Sequence, residues 1–198
     1  MTHEWLQRFA RRLGTWVDVF QGYKLRVWFE DEARVGTKPH RKKRLTARGV
    51  KPRVVQGHTY ESFWVYGAVD VTSGESVFVE WSHLDGECFE HFLQELSRQG
   101  GEDEVHLLIL DNAGAHKNRS IRWPHDVFAL YLPAYSPELN PIERLWLEMR
   151  RALKHWYHDL DSLRRDLDDW YASLEPPALL QLVQFPYINS AISSALFP

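Results

Sequence analysis

Residues 105–110 have the sequence VHLLIL, and DNAGAHKN follows directly at 111–118. A continuous apolar run of this length predicts a strand that is buried on both faces, which is typical of the centre of an α/β sheet. DVFALYL at 126–132 predicts a second strand of the same kind. Asp111 is therefore expected at the end of a buried central strand.

Three segments upstream of this run predict an antiparallel meander. They are KLRVWFED at 24–31, FWVYGAVDV at 63–71 and ESVFVEW at 75–81, and the last two flank the turn-like residues 72–74. All three are rich in residues that favour strands. Together with the two buried strands they predict a mixed, five-stranded α/β sheet.

Apolar residues at helical spacing predict helices over 3–19, 86–99 and 160–174, and a further helix that begins near Ile142. Gly14 is expected to interrupt the first helix. We expect three regions: an N-terminal helix at 1–22, a core domain at 23–175 with a basic insertion at 34–58, and an apolar tail at 176–198. The tail is expected to pack on the core or on a second subunit.

The composition is that of one globular domain, with 198 residues, 44% of them hydrophobic and 26% charged. A single cysteine, Cys88, excludes an internal disulfide and zinc sites built on cysteine pairs. No apolar run has the length of a membrane span, and charged residues interrupt the first twenty positions. We therefore expect a soluble, cytoplasmic protein.

Positive charge is concentrated in one segment, although the net charge is −3. Between Ala33 and Tyr60 there is no acidic residue. Such a block is either a solvated loop without a partner or a binding surface. Its basic residues are Arg34, Lys38, Arg41, Lys42, Lys43, Arg44, Arg48, Lys51 and Arg53.

Three acids fall at the edges of predicted elements: Asp31, Asp111 and Glu143. If the first and fourth strands are neighbours, Asp31 and Asp111 meet at the rim of the sheet, and a helix packed there brings Glu143 to face them. Such a cluster stays ionised only when a cation fills it. Carboxylate oxygens suit Mg²⁺ or Mn²⁺, and two such ions are the usual device for displacement at phosphorus.

Each acid also has a structural interpretation. Asp31 lies in the acidic run 30–32, which is typical of a solvated strand end, and Asp111 with Asn112 could form a turn. Glu143 stands three residues after Asn140, the spacing of a capping box, in which it would bond the backbone of the cap. Spacing alone does not decide between these interpretations.

Other site chemistries find little support. His58 and His116 lack a second histidine at the spacing of zinc motifs. The chain has no glycine-rich phosphate loop and no serine nucleophile elbow. Cys88 is expected to be a buried thiol without a catalytic role.

Three segments together carry a family resemblance: FEDEARVG at 29–36, LILDNAGAHKN at 108–118 and LPAYSPELNPIERLW at 132–146. They resemble the catalytic core of DDE transposases of the mariner-like superfamily, in its bacterial insertion-sequence branch. The resemblance runs from about Lys24 to Trp156. It implies a ribonuclease-H-like fold, a metal-binding catalytic triad, and polar residues beside the triad that support it. The triad is Asp31, Asp111 and Glu143, and the supporting residues are Asn112, His116 and Asn140.

The resemblance implies metal-dependent cleavage of DNA at transposon ends, followed by transfer of the freed 3′ hydroxyl to target DNA. It implies transposon-end and target DNA as partners, a homodimer on DNA, and a location in the bacterial nucleoid. It also implies that the nine basic residues from Arg34 to Arg53 contact DNA phosphates, which makes them the candidate DNA-binding residues. Relatives usually carry helix-turn-helix domains before this core. Three explanations stay open: the second half of a split reading frame with a helix-turn-helix portion encoded upstream, a truncated remnant, or an isolated core. Two alternatives stay open: a catalytically silent DNA-binding or assembly module, and a structure-selective nuclease of the same fold.

Overall fold

The centre of the molecule is a single sheet of five strands. They are β1 (Lys24–Gly36), β2 (Ser62–Asp70), β3 (Ser76–Trp81), β4 (Glu104–Leu110) and β5 (Val127–Tyr131). The computed structural model describes residues 2–38, 47–49, 60–114, 116, 118, 120–154 and 156–196. The strand order is β3-β2-β1-β4-β5.

The sheet is mixed, as the sequence predicts. β1 pairs antiparallel with β2, and β2 pairs antiparallel with β3. β4 pairs parallel with β1 and with β5, so it lies between two parallel neighbours. This placement explains the unbroken apolar run at 105–110, because side chains of a central strand meet helices on both faces.

Helices cover both faces of the sheet. One face carries α2 (Gly86–Ser97), and the opposite face packs against the other helices. Asp85 caps α2 by accepting a hydrogen bond from the backbone N–H of Cys88 at 2.9 Å. The helices of the opposite face are α1 (Thr2–Val19), α3 (Ile142–Ala152), α4 (Leu160–Ala172), α5 (Pro176–Val183) and α6 (Pro186–Leu196).

Two details of the sequence prediction are wrong. Helix α1 continues through Gly14 without interruption, because Phe9 and Leu13 are buried in the core and hold this part of the helix in place. A glycine inside a helix costs only about 1 kcal/mol, which packing can offset. Strand β1 does not end at Asp31 but runs to Gly36, since β2 pairs with it as far as Ser62.

The C-terminal apolar segment forms α5 and α6. Val183 and Ile188 are fully buried in the main core, and α6 packs against α1 through contacts such as that between the rings of Phe9 and Tyr187. Within the described ranges, none of the helices has both the length and the apolar character needed to span a membrane.

Candidate metal-binding active site

One cavity of about 360 Å³ is lined by all three acids singled out from the sequence: Asp31, Asp111 and Glu143. Asp31 lies in β1, Asp111 directly follows β4, and Glu143 lies in α3. Asn140 lines the same cavity. The remaining wall consists of Asn112, Ala113, Leu132, Pro133, Ala134, Tyr135, Ser136 and Pro137.

The sheet topology explains how the acids meet. The parallel pairing of β1 with β4 ends at Phe29 and Ile109, so Asp31 and Asp111 each lie two residues beyond the last pair. Glu143 lies in the first turn of α3. Asp31 is paired with β2 on its other side, opposite Gly67, although the sequence suggested a free strand end.

Trp146 holds the Asp31 side chain through a hydrogen bond. It lies one turn after Glu143 on α3, is 1% exposed, and its indole N–H donates to Asp31 Oδ2 at 3.0 Å. Gly67 makes room for this ring: a Cβ there would lie 2.9 Å from Cζ2 of Trp146 and closer still to Cη2. The sequence motif includes Trp146, but its hydrogen bond was not predicted. Gly67, inside the strand FWVYGAVDV, was the available signal, because a glycine within a strand often marks a place where another group approaches the backbone closely.

The environment of Asp31 opposes its ionisation. Burial raises the pKa of its carboxyl group to about 7, and repulsion from Glu143 and Glu32 acts in the same direction. The hydrogen bond from Trp146 partly lowers the pKa. A divalent cation in the cavity would remove this penalty, because it would balance the clustered negative charges.

The capping-box interpretation of Glu143 is wrong. The backbone N–H of Asn140, which Glu143 would have to bond, donates instead to the carbonyl of Pro137 at 2.9 Å. The Asn140 side chain links two elements: its Nδ2 donates to the buried carbonyl of Glu30 at 2.8 Å, and its Oδ1 accepts from the N–H of Ile142 at 3.3 Å. The Glu143 carboxylate is therefore available to the cavity.

Asn112 and His116 flank Asp111. Asn112 donates through Nδ2 to the carbonyl of Leu132, which joins the end of β4 to the end of β5. His116 is 2% exposed, and its Nδ1 lies 3.2 Å from Asp111 Oδ1. The other ring nitrogen, Nε2, lies 3.0 Å from Glu32 Oε1.

The donor atoms of the cavity fit a hard divalent ion, since carboxylate and amide oxygens are the ligands that Mg²⁺ and Mn²⁺ prefer. The three cavity acids are spread around its wall. Within the described part of the chain, only Glu30, Glu32 and His116 bring three donor atoms within 4.8 Å of one another. Neither glutamate was singled out from the sequence, where both appeared as part of an acidic strand end.

Three of the candidate DNA-binding residues lie in the described ranges, and all three are exposed: Arg34, Lys38 and Arg48. Arg34 lies within β1, not in the connection after it, and its guanidinium donates to Ser62 Oγ at 2.9 Å and 3.0 Å. The ammonium of Lys38 lies 5.5 Å from the centre of the Tyr60 ring. The others, Arg41, Lys42, Lys43, Arg44, Lys51 and Arg53, lie outside the described residues.

By sequence, this chain matches one family model and is similar to two bacterial proteins. The family model described as "DDE superfamily endonuclease" matches residues 26–164. The "Uncharacterized protein y4pE/y4sA" of Sinorhizobium fredii is 33% identical over 106 residues, which are 54% of this chain and 75% of that protein. The "Insertion element IS630 uncharacterized 39 kDa protein" of Shigella sonnei is 29% identical over 61% of this chain and 36% of its own length.

Solved structures of Mos1 share the fold. The Mos1 strand transfer complex matches 96% of this chain with a TM-score of 0.67 and 18% identity. The Mos1 paired-end complex with the left transposon end matches with the same score and identity. This chain spans 59% and 60% of those two chains. The likeness confirms the predicted ribonuclease-H-like class, a mixed five-stranded sheet flanked by helices.

Proposed function

Because this chain belongs to the DDE superfamily endonuclease family, we propose that it is the catalytic domain of a transposase, which cuts DNA at transposon ends and joins the freed 3′ hydroxyl to target DNA. The observation that carries this proposal is the convergence of Asp31, Asp111 and Glu143 on one cavity. Relatives whose structures are described as strand transfer and paired-end complexes support the choice of substrate.

The three carboxylates are proposed to hold two divalent ions, Mg²⁺ or Mn²⁺. Mos1 complexes are described with each of these metals. Held by these acids, the ions would supply the chemistry of displacement at phosphorus: activation of the attacking oxygen and stabilisation of the leaving oxygen.

The neighbouring residues hold these carboxylates in place. Trp146 fixes one oxygen of Asp31, and Asn140 ties the start of α3 to β1 through the Glu30 carbonyl. Asn112 joins the turn that carries Asp111 to the end of β5. Such support matters because catalytic groups lose effect when they are misplaced by about 1 Å.

We also propose that the basic residues from Arg34 to Arg53 contact DNA phosphates, which would position the duplex without reading its sequence. The working unit is proposed to be a homodimer that pairs two transposon ends in the bacterial nucleoid. A helix-turn-helix portion encoded upstream would supply end recognition, and the nucleotide sequence preceding Met1 tests this point directly.

The decisive experiment measures nicking of plasmid DNA, and joining of a 3′-hydroxyl oligonucleotide to a target plasmid, in Mn²⁺ or Mg²⁺. Asp31→Asn, Asp111→Asn and Glu143→Gln should each lower both activities by roughly 100-fold or more. Their thermal stability should be unchanged or higher, because carboxylate repulsion is relieved. Glu148→Gln, on the same helix α3, is the matched control and should keep activity.

Nicking without joining would indicate a nuclease instead of a transposase. Salt-sensitive DNA binding with no metal-dependent cleavage would indicate the silent module. A lowered thermal stability of Glu143→Gln with cleavage retained would contradict the assignment of that residue.

A further inference from the structure

A second cluster of potential metal ligands lies on the other side of β1 from the cavity. Glu30 and Glu32 alternate with Asp31 along the strand, so they face α2 whereas Asp31 faces α3. His116, after β4, reaches the same place. We propose that Glu30, Glu32 and His116 form a binding site for one divalent transition-metal cation, separate from the catalytic cavity.

Burial makes this cluster unusual. The side chains of Glu30, His116 and Glu32 are only 0%, 1% and 8% exposed, respectively. Both carboxylate oxygens of Glu30 are fully enclosed, and neither has a hydrogen-bond partner among the residues that the structure describes. Burying an unpaired carboxylate costs several kcal/mol unless the group takes up a proton or gains a cationic partner. The Glu30 side chain points to a ligand, because the nearby protein groups leave it unsatisfied.

The spacing of the donor atoms suits one ion. His116 Nε2 lies 3.0 Å from Glu32 Oε1 and 3.8 Å from Glu30 Oε2, and all three donors fall within 4.8 Å of one another. Ligands bound at 2.0–2.2 Å are separated by about 3.0 Å in octahedral and about 3.5 Å in tetrahedral geometry. The observed donor separations of 3.0 Å and 3.8 Å lie close to these two values.

Charge and ligand type identify the class of ion. Two carboxylates and a neutral imidazole carry a charge of −2, which one divalent cation neutralises. A mixed set of imidazole and carboxylate ligands suits Zn²⁺ or another first-row transition ion better than Mg²⁺, which favours oxygen alone. This site could not be predicted from the sequence, because the zinc motifs sought there require two histidines at helical spacing.

The second ring nitrogen of His116, Nδ1, supports the proposal independently. A histidine that binds a metal through one ring nitrogen almost always directs its other N–H to a carboxylate, a backbone carbonyl or water. His116 Nδ1 has no hydrogen-bond partner in the described ranges, yet it lies 3.2 Å from Asp111 Oδ1. An ion at Nε2 would therefore place the N–H on Nδ1, facing Asp111, and so orient a carboxylate of the catalytic cavity.

The test uses Zn²⁺ as the probe in a double variant, Asp31→Asn with Glu143→Gln, which weakens the catalytic cavity as a competing site. Calorimetric titration of this double variant should show one Zn²⁺ ion bound per chain at the cluster. Adding Glu30→Gln or His116→Asn should weaken this binding at least tenfold. Glu80→Gln, another partly buried glutamate of the sheet, is the matched control and should leave it unchanged.

X-ray absorption at the zinc edge of the double variant provides a readout that does not depend on ligand variants. One imidazole with oxygen ligands supports the site. Several imidazoles, a sulfur ligand, absence of binding, or binding that survives both Glu30→Gln and His116→Asn overturns it. Since the background lacks two of the proposed catalytic acids, these results are independent of whether the chain cuts DNA.

Discussion

The indole N–H of Trp146 donates to Asp31 Oδ2 at 3.0 Å and so connects α3 directly to β1. Glu143 lies on the same helix, one turn earlier. A single side chain therefore sets both the orientation of the first acid and the distance between β1 and the helix that carries the third. The motif that ends in RLW at 144–146 thus combines a proposed metal ligand with its own positioning residue.

Trp146→Phe should retain most of the ring packing and lose only the N–H. Hydrogen bonds to charged groups contribute about 1.5–3 kcal/mol, so we expect cleavage to fall by roughly 10- to 100-fold at limiting Mn²⁺. Saturating Mn²⁺ should restore part of the loss, because the ion competes for the same carboxylate. Metal titrations of cleavage rate measure this effect. Trp170→Phe, in the same core on α4, should leave the metal dependence unchanged, and an equal shift there would refute the positioning role.

Gly67→Ala should disturb the same contact from the strand side. The added methyl would overlap the Trp146 ring and lie 3.1 Å from Cδ1 of Phe78. Overpacking of this kind costs about 1–3 kcal/mol, and the displaced indole should release Asp31. Urea unfolding and the metal titration should therefore both change. Gly14→Ala is the control: no atom lies within 4 Å of its Cβ, so we expect about 0.5–1 kcal/mol of stabilisation and normal activity.

The sequence predicted the sheet well because its signals are local. The apolar run at 105–110 and the alternating strands upstream specify burial by themselves, without knowledge of the rest of the fold. The extension of β1 to Gly36 could not be predicted in this way. It depends on pairing with β2, whose partner residues lie some thirty positions away in the sequence.

The candidate site was predictable to a similar degree. Asp31, Asp111 and Glu143 could be singled out because each falls next to a recognisable element. The roles of Glu30 and Glu32 could not, since alternation along β1 places them on the opposite face from Asp31, where only the tertiary structure brings His116 to them. Likewise, Gly67 and Trp146 are 79 positions apart and meet only across the sheet.

The stability of the metal-free protein should fall as pH rises from about 4 to 7. The unfolded Asp31 carboxyl group has a pKa of 3.8, whereas burial raises it to about 7 in the folded state. Between these values the folded chain keeps a proton that the unfolded chain has released, so raising the pH favours unfolding by up to about 1.4 kcal/mol per pH unit. Burial also raises the pKa of Glu30, with the same sign.

Urea unfolding in EDTA across pH 5–8 measures this dependence. Asp31→Asn should flatten the decline, because the variant has no proton to lose at that position. Added Mn²⁺ should stabilise the wild type most at the upper end of the range, where the carboxylate is ionised. A decline that is identical in wild type and Asp31→Asn would show that Asp31 does not titrate in this window.

Asn140→Ala should separate the structural role at the start of α3 from the chemistry of Glu143. The variant leaves the buried carbonyl of Glu30 without its 2.8 Å donor and removes the acceptor for the N–H of Ile142. An orphaned buried carbonyl costs about 1–3 kcal/mol. Asn140→Ala should therefore lower the free energy of unfolding by that amount, whereas Glu143→Gln should not lower it. Asn189→Ala, at an exposed position of α6, should change stability by about 0.5 kcal/mol or less. If Glu143→Gln and Asn140→Ala destabilised the protein equally, the two residues would share one structural role, and the assignment of Glu143 to the metal cavity would fail.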